Sequence, residues 1–397
     1  MRQPNYEYYK RIFASLPKPL AYVDVDLLQE NIAAIAPRSL GKRIRIASKS
    51  VRCRAVLRRI LDAGPPCQGI MSYTAAEAIF LADHGFDDIL LGYPIWNAGR
   101  IADILRRVGE GKTITCMVDS LDHLRQIERV AKDVGVRALV CIDVDMSTEF
   151  PGLHFGVRRS PLSTAADVEP LLLHVAASNS LQLDGIMGYE AQVAGVGDHV
   201  PGQAVKNRVV HFLKTRSIPQ IAERRAAVVE LIRKMKLPLR FVNGGGTGSL
   251  HTTSQEEVVT EITVGSGFFS PGLFDNYRSF RYLPAAGFVL EIVRQPRPDI
   301  FTCAGGGYTA SGSPGWDKVP KPYLPVGLSL LPNEAAGEVQ TPFRYRGETR
   351  LALGDPILMR HAKAGELCER FAVLHAISDG RIVDVWPTYR GDGQCFL

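Results

Sequence analysis

The stretch Arg43-Ile-Arg-Ile-Ala-Ser-Lys49-Ser is an alternating, strand-like run that ends in a lysine where the chain must turn. An amine at the carboxyl end of a parallel strand stands at the mouth of an α/β barrel, the face on which active sites are assembled. Partly desolvated there, it loses its proton and attacks a carbonyl, the chemistry of a Schiff-base lysine. Taken alone, a strand-end lysine is more often an ordinary solvated side chain.

Two glycine-rich stretches far downstream change that balance: Val242-Asn-Gly-Gly-Gly-Thr-Gly-Ser249 and Val264-Gly-Ser-Gly-Phe-Phe269. Consecutive glycines let backbone N–H groups converge on an anion, and the Thr247 and Ser249 hydroxyls add donors. No lysine follows, so neither stretch is a Walker motif. Singly, a glycine run at a strand end is as readily a turn as a cradle. Both follow the last two strand-like segments of a repeating pattern, however, and barrels bind phosphate after their seventh and eighth strands. A phosphate cradle facing an amine describes a phosphorylated aldehyde such as pyridoxal 5'-phosphate.

The elements that must position these groups follow an even rhythm. Strand-like segments at 43–48, 68–71, 88–91, 113–118, 137–144, 181–187, 239–242 and 261–264 alternate with helix-length segments at 52–63, 75–84, 98–108, 121–134, 164–178 and 205–236. Alternation of this kind predicts a parallel sheet of α/β class, and eight units close it into a (β/α)8 TIM-type barrel. No dinucleotide glycine fingerprint follows the first strand, which argues against a doubly wound sheet. Residues 1–20 read as an N-terminal arm and 21–285 as the barrel, opened by a strand over 21–26 whose Asp26 caps a helix starting at Leu27. Past the hinge-like Leu283-Pro-Ala-Ala-Gly287 the texture changes to short strands broken by Gly and Pro, so 286–397 reads as a C-terminal antiparallel β domain containing a long loop, Ala304–Gly315.

The 397 residues suit a barrel of about 250 residues plus a second domain. The formal charge of +6 is spread thinly, with no basic run interleaved with aromatics, which argues against a nucleic-acid partner. Seven cysteines without a CxxC pair predict reduced thiols and a cytoplasmic protein. The first residues lack the apolar core of a signal peptide, and no run reaches membrane-spanning length.

Pro19-Leu-Ala-Tyr-Val-Asp-Val-Asp26, a strand ending in Lys49, Asn243-Gly-Gly-Gly-Thr-Gly248 and the Gly265-Ser-Gly loop together resemble the alanine-racemase-like, fold type III, pyridoxal-phosphate enzymes. Within that family the likeness is greatest to the D-threonine aldolase and D-serine dehydratase branch, the amino acid deaminase/aldolase proteins. It runs from about Pro19 to the end of the chain. The resemblance implies a cofactor-bearing barrel, a D-serine dehydratase-like β domain and a homodimer. By matching position it implies that Lys49 carries pyridoxal 5'-phosphate, that Tyr189 lines it, that Gly246, Thr247, Gly248, Gly265 and Ser266 hold its phosphate, and that Tyr277 closes over the phosphate. Core packing is the ordinary alternative for both tyrosines. His154 stands where the family has an arginine near the cofactor's phenolic oxygen, with Arg158 or Arg159 to compensate, and Thr263 stands where alanine racemases place an arginine beside the ring nitrogen. Gln192 faces the substrate where aldolases carry a histidine, His199 being the nearest one here.

In the same branch a histidine, with a Cys or Asp two residues on, binds a divalent metal that activates the substrate's β-hydroxyl. His361 matches; the second position is Lys363, which is no ligand while protonated. Three readings are open: Glu366 or Cys368 completes a metal site with His361; the Lys363 ammonium stands in for the metal and binds a substrate carboxylate or hydroxyl; or the stretch is a surface loop with ordinary charges.

The function implied is a lyase acting on D-amino acids, chiefly β-hydroxylated ones. Removal of the β-hydroxyl proton gives retro-aldol cleavage, whereas removal of the Cα proton by Lys49 with departure of hydroxide gives dehydration and deamination. His361, with an ordinary imidazole pKa of about 6.5, serves as the proton-transfer group in either case. The alternatives are a racemase or epimerase, whose second base would be Tyr308 or Tyr323, and a non-catalytic pyridoxal-phosphate-binding protein, a role of barrel-only relatives.

Overall fold

The computed structural model describes residues 5–307, 311 and 315–397. Along the chain, β1 (Leu20–Asp24) is followed by β2 (Arg43–Ala47), β3 (Cys67–Ser72), β4 (Ile89–Pro94), β5 (Ile114–Val118) and β6 (Ala138–Asp143). The small hairpin β7 (Thr148–Phe150) and β8 (Leu153–Phe155) comes next, and then β9 (Leu181–Gly188), β10 (Phe241–Gly244) and β11 (Glu261–Val264). β2 to β6 and β9 to β11 are parallel and close into a barrel, and they are the strands that the alternation predicts. Helices between them bury one apolar stripe each: Val56, Leu57 and Ile60 in Arg54–Asp62, Ile101, Ile104 and Leu105 in Ala98–Gly109, and Leu124, Ile127 and Val130 in Leu121–Val134. Asn97 and Ser120 cap two of these helices through their side chains, each cap contributing about 1 kcal/mol.

The barrel interior has two layers. Toward the cavity, Leu90, Met117, Cys141, Met187 and Phe241 form an apolar plug. Beneath it Arg45, fully buried, pairs with Glu261 at 2.7 and 2.9 Å and with Asp88 at 3.1 Å, while Arg240 joins Asp88 to Asp184. Charges this deep are tolerable because each is paired and hydrogen-bonded.

β1 corrects the expected domain boundary. It lies not in the barrel but in the centre of the second sheet, between β12 (Ala286–Arg297) and a later strand. That sheet is completed by β13 (Ile300–Ala304), β14 (Lys321–Leu324), β15 (Leu328–Leu330), β16 (Gln340–Tyr345), β17 (Pro356–Arg360), β18 (Val373–Ser378) and β19 (Arg381–Pro387), mostly antiparallel, with β1 and β18 parallel. All five residues of β1 are buried, as a central strand requires. The helix cap is corrected too: Asp24, not Asp26, accepts from the Leu27 backbone, and Asp26 accepts instead from Ser378 Oγ and the Asp379 backbone. The arm contributes a helix, Tyr6–Phe13, whose Tyr9 and Phe13 pack on Tyr22 of β1. Among the described residues no helix is long and apolar enough to cross a membrane, and all seven cysteines are free, six of them buried.

Candidate active site

Lys49 sits in a single 3-10 turn that leaves β2, so its side chain emerges at the carboxyl end of the barrel. Its Nζ donates to Tyr93 Oη at 2.9 Å, at the end of β4. Burial acts to raise the Tyr93 phenol, but the Lys49 ammonium and its hydrogen bond, helped by Arg159, outweigh it and hold the phenol below its ordinary pKa. Arg159 lies over both Tyr93 and Tyr189, 5.7 and 5.9 Å from the ring centroids.

Strand register brings the glycine loops to this amine. Val264 pairs with Ile46, so Gly265 and Ser266 leave β11 beside the Lys49 turn. Gly244 pairs with Gly188, so the Gly245–Gly248 run leaves β10 beside Tyr189. A Cβ at Gly265 would stand 2.8 Å from the Cβ atoms of both Ala47 and Ser50, which is why only glycine fits where the two strands converge. Ser266 Oγ lies 3.2 Å from Ser50 Oγ, and Thr247 Oγ1 accepts from the Gly267 backbone at 3.1 Å, tying the two loops together. The cradle is shaped from below by Glu190, which accepts from Gly245 N at 3.1 Å, from Ser249 Oγ at 2.7 Å and from Thr253 Oγ1. Arg225, fully buried on the helix Ala204–Lys234, neutralises Glu190 at 2.9 Å and also pairs with Glu256.

Lys49, Tyr93, Arg159, Tyr189 and the Gly245–Thr247 and Gly265–Ser266 runs line a cavity of about 500 Å³. Lys49, Arg52, Arg159 and Lys363 supply four cations against one carboxylate, Glu366, among the described lining residues, a balance that favours anionic ligands. Of the residues expected to hold a cofactor, Lys49, Tyr189, Gly246, Thr247, Gly265, Ser266 and Tyr277 all line it. Gly248 lies just behind, with Ala194 and Tyr277 where a side chain would be. Burial pushes the Tyr189 phenol up to about 12, and the Tyr277 hydroxyl donates to the Ala194 carbonyl at 2.9 Å. Thr263 presents a neutral hydroxyl, shared with the Asn243 amide. An amine, an anion cradle and a buried aromatic wall within one cavity fit pyridoxal phosphate.

Other expectations are corrected. His154 does not line the cavity; it lies in the β7–β8 hairpin with Nδ1 on Glu149 at 2.5 Å, and Arg159 takes the inward place. Gln192 is buried away from the cavity, its amide donating to the Met146 carbonyl at 2.5 Å. His199 is exposed, with its backbone on Asn276. Tyr323 lies outside the lining, under Arg360, while Tyr308 and half of the Ala304–Gly315 loop fall outside the described residues.

The metal set is not assembled. His361 is fully buried outside the cavity, its ring edge-on to Phe269 and neither ring nitrogen within good hydrogen-bond geometry of a partner among the described residues; burial and neighbouring Arg360, outweighing an opposing contact with the Ala286 backbone, press its pKa down to about 3. Its working part is the backbone, since Gly272 N donates to the His361 carbonyl and Leu273 N to that of Ala362, fastening the segment that carries Leu273 and Phe274 into the cavity wall. Cys368, also buried, lies near Cys53 and Arg52, and burial raises its thiol. Among the described residues no group of three or more His, Cys, Asp or Glu side chains able to hold a metal occurs, and neither His361 nor Cys368 lines the cavity. Lys363 does line the cavity; burial lowers its ammonium, Glu366 opposing.

Sequence reasoning missed Tyr93, Arg52 and the Glu190–Arg225 support. Tyr93 had a signal, since Ile89-Leu-Leu-Gly-Tyr-Pro94 ends on the same barrel face as Lys49. Arg52 had none: it donates to the Lys49 carbonyl at 2.9 Å and to Glu369 at 2.7 Å, a partner 317 positions away.

Comparison with known proteins agrees with this architecture. A D-threonine aldolase structure from Filomicrobium marinum superposes with a TM-score of 0.79 at 17% identity, covering 98% of this chain and 99% of that one, and so shares the fold. The 3-hydroxy-D-aspartate aldolase of Paracoccus denitrificans (strain Pd 1222) is 23% identical over 257 residues, 64% of this chain and 61% of the aldolase. The D-threo-3-hydroxyaspartate dehydratase of Delftia sp. (strain HT23) is 28% identical over 262 residues, 63% and 60% of the two chains. The match thus spans about three fifths of each curated relative. Residues 23–269 match the alanine racemase N-terminal domain, and the chain belongs to that family.

Proposed function

We propose that the chain is a pyridoxal 5'-phosphate-dependent lyase acting on D-amino acids that bear a β-hydroxyl. The observation that carries this reading is that Lys49 and both glycine loops line one cation-rich cavity. The relatives named for 3-hydroxy-D-aspartate and D-threo-3-hydroxyaspartate support the substrate class. Pyridoxal phosphate supplies an electron sink for the pair left on Cα. Lys49 would hold its aldehyde, Gly246, Thr247, Gly265 and Ser266 its phosphate, and Tyr189 its ring.

The chain's own side chains then select the bond that breaks. A base on the β-hydroxyl leads to Cα–Cβ cleavage and an aldehyde, whereas proton removal at Cα by Lys49, with departure of the hydroxyl, leads to a keto acid and ammonia. Tyr93 orients the Lys49 amine through their hydrogen bond, and Arg159 lies over the same Tyr93 ring.

The test is to incubate cofactor-loaded protein with D-threonine, D-serine and 3-hydroxy-D-aspartate and assay glycine, keto acid and L-enantiomer separately. Glycine or keto acid is expected. Formation of the L-enantiomer alone would replace the lyase with a racemase, and absence of any product would reject the substrate class. Lys49→Ala should abolish the visible absorbance of the bound cofactor and lower turnover by at least about 1,000-fold.

A further inference from the structure

Lys363 and Glu366 are the two charged side chains from the β domain that line the cavity. Among the described residues both are incompletely satisfied. Lys363 Nζ donates to Ser311 at 3.2 Å (Oγ) and 3.4 Å (carbonyl), both long for an ammonium that carries three hydrogens. Glu366 Oε1 accepts from Ser311 N at 2.8 Å, but Oε2, shielded from solvent, has no hydrogen-bond partner among the described residues. A buried acceptor left open costs stability unless something fills it. A spare donor and a spare acceptor side by side match a group that both accepts and donates, which is a hydroxyl.

The backbone holds this pair toward Lys49. Gly365, at φ +84°, lies so close to the Lys49 carbonyl that any Cβ would collide with it, and Arg52 bonds that same carbonyl and Glu369. The loop that presents Lys363 and Glu366 is therefore fastened to the turn that presents Lys49. His361, the residue that would have begun a metal site, faces Phe269 instead.

We propose, on the lyase reading above, that Lys363 and Glu366 themselves grip the substrate's β-hydroxyl, the ammonium donating to its oxygen and the carboxylate accepting its proton, in place of a divalent cation. In the retro-aldol direction the hydroxyl proton passes to Glu366, the freed O–H pair becomes the second bond of the aldehyde carbonyl, and the Cα–Cβ pair stays on Cα. Lys363 stabilises the negative charge that develops on the oxygen.

Two measurements test this on cofactor-loaded protein. In the first, chelator-treated protein is equilibrated with Zn²⁺ or Mn²⁺ and bound metal is counted, and turnover is compared with and without chelator. No stoichiometric uptake and unchanged turnover are expected; one metal per chain, or turnover that collapses with chelator and returns with metal, would overturn the proposal. In the second, D-threonine and D-alanine are titrated against the cofactor absorbance. The intact chain should prefer D-threonine by about 10- to 100-fold, the range for a hydrogen bond to a charged group, and Lys363→Met and Glu366→Gln should each erase that preference while keeping the cofactor spectrum. An undiminished preference in both variants would sink the pairing. If hydroxyl preference requires Lys363 but no substrate turns over, the lyase reading fails and the hydroxyl grip stands; if turnover requires metal, the lyase reading stands and the grip fails.

Discussion

The two walls of the cavity are built on different principles. On the barrel side, Glu190 gathers Gly245 N, Ser249 Oγ, Thr253 Oγ1 and Arg225, so that shifting the glycine cradle by a fraction of an ångström would break several buried hydrogen bonds at once. On the β-domain side, Lys363 and Glu366 both bond Ser311, and among the described residues Glu366 Oε2 has no partner. What is rigid there is the backbone, through Gly365 and the Arg52–Glu369 pair. On the lyase reading, the barrel wall would hold the cofactor and the β-domain wall the substrate, so changes of cofactor affinity are expected from the first and changes of substrate preference from the second.

The sharpest way to break this contrast is at Arg225. Arg225→Ala leaves the buried Glu190 carboxylate and the half-buried Glu256 without their cation, and a loss of about 3–5 kcal/mol in urea unfolding is expected, with weakened uptake of pyridoxal phosphate. An unfolding curve within about 0.5 kcal/mol of the parent, the range of ordinary surface substitutions, would show that the cradle is not held from below.

A smaller effect should come from Gly365→Ala. The positive φ and the Lys49 carbonyl together predict about 1–3 kcal/mol of strain. Because the strain falls on the frame of the substrate wall, KM for the amino acid should rise while cofactor absorbance is retained; loss of the cofactor with KM unchanged would reverse the assignment of the two walls.

A pH effect is expected behind the Lys49 turn. Burial pushes Glu77 up to about 7, although Tyr73 N and Tyr389 Oη both donate to its carboxylate at 2.8 Å. A carboxyl whose folded pKa lies above its unfolded value of about 4.5 binds its proton more tightly when folded, so its contribution is fully present below that value and is lost as pH rises through about 7. Melting temperature should fall across this window in the parent and fall less steeply in Glu77→Gln, where no proton is exchanged; identical slopes would assign the pH dependence elsewhere.

Much of the barrel was legible because it rests on periodicity: each strand buries both faces or one, and each helix buries a stripe, so the pattern is local. Lys49 and the glycine loops were legible for the same reason, since the end of a strand in a parallel barrel has one address. β1 was not, because a short buried strand has the same residue pattern whether it joins the barrel or the neighbouring sheet, and only pairing with Val289 and Leu374 distinguishes them. His154 and Gln192 were misplaced because an inward or outward side chain in an irregular loop depends on a partner, here Glu149 and the Met146 carbonyl.

Hydrophobic period and the placement of glycine were enough to specify the architecture, a lysine at the end of β2 and glycine runs at the ends of β10 and β11. Which of His361, Lys363, Glu366 and Cys368 reach the cavity depended on tertiary packing. These four lie within eight consecutive positions that run from an irregular segment into the short helix Leu367–Arg370, with no single period to set side-chain direction; Gly365 packs against the Lys49 carbonyl, Lys363 and Glu366 line the cavity, and His361 and Cys368 are buried outside its lining.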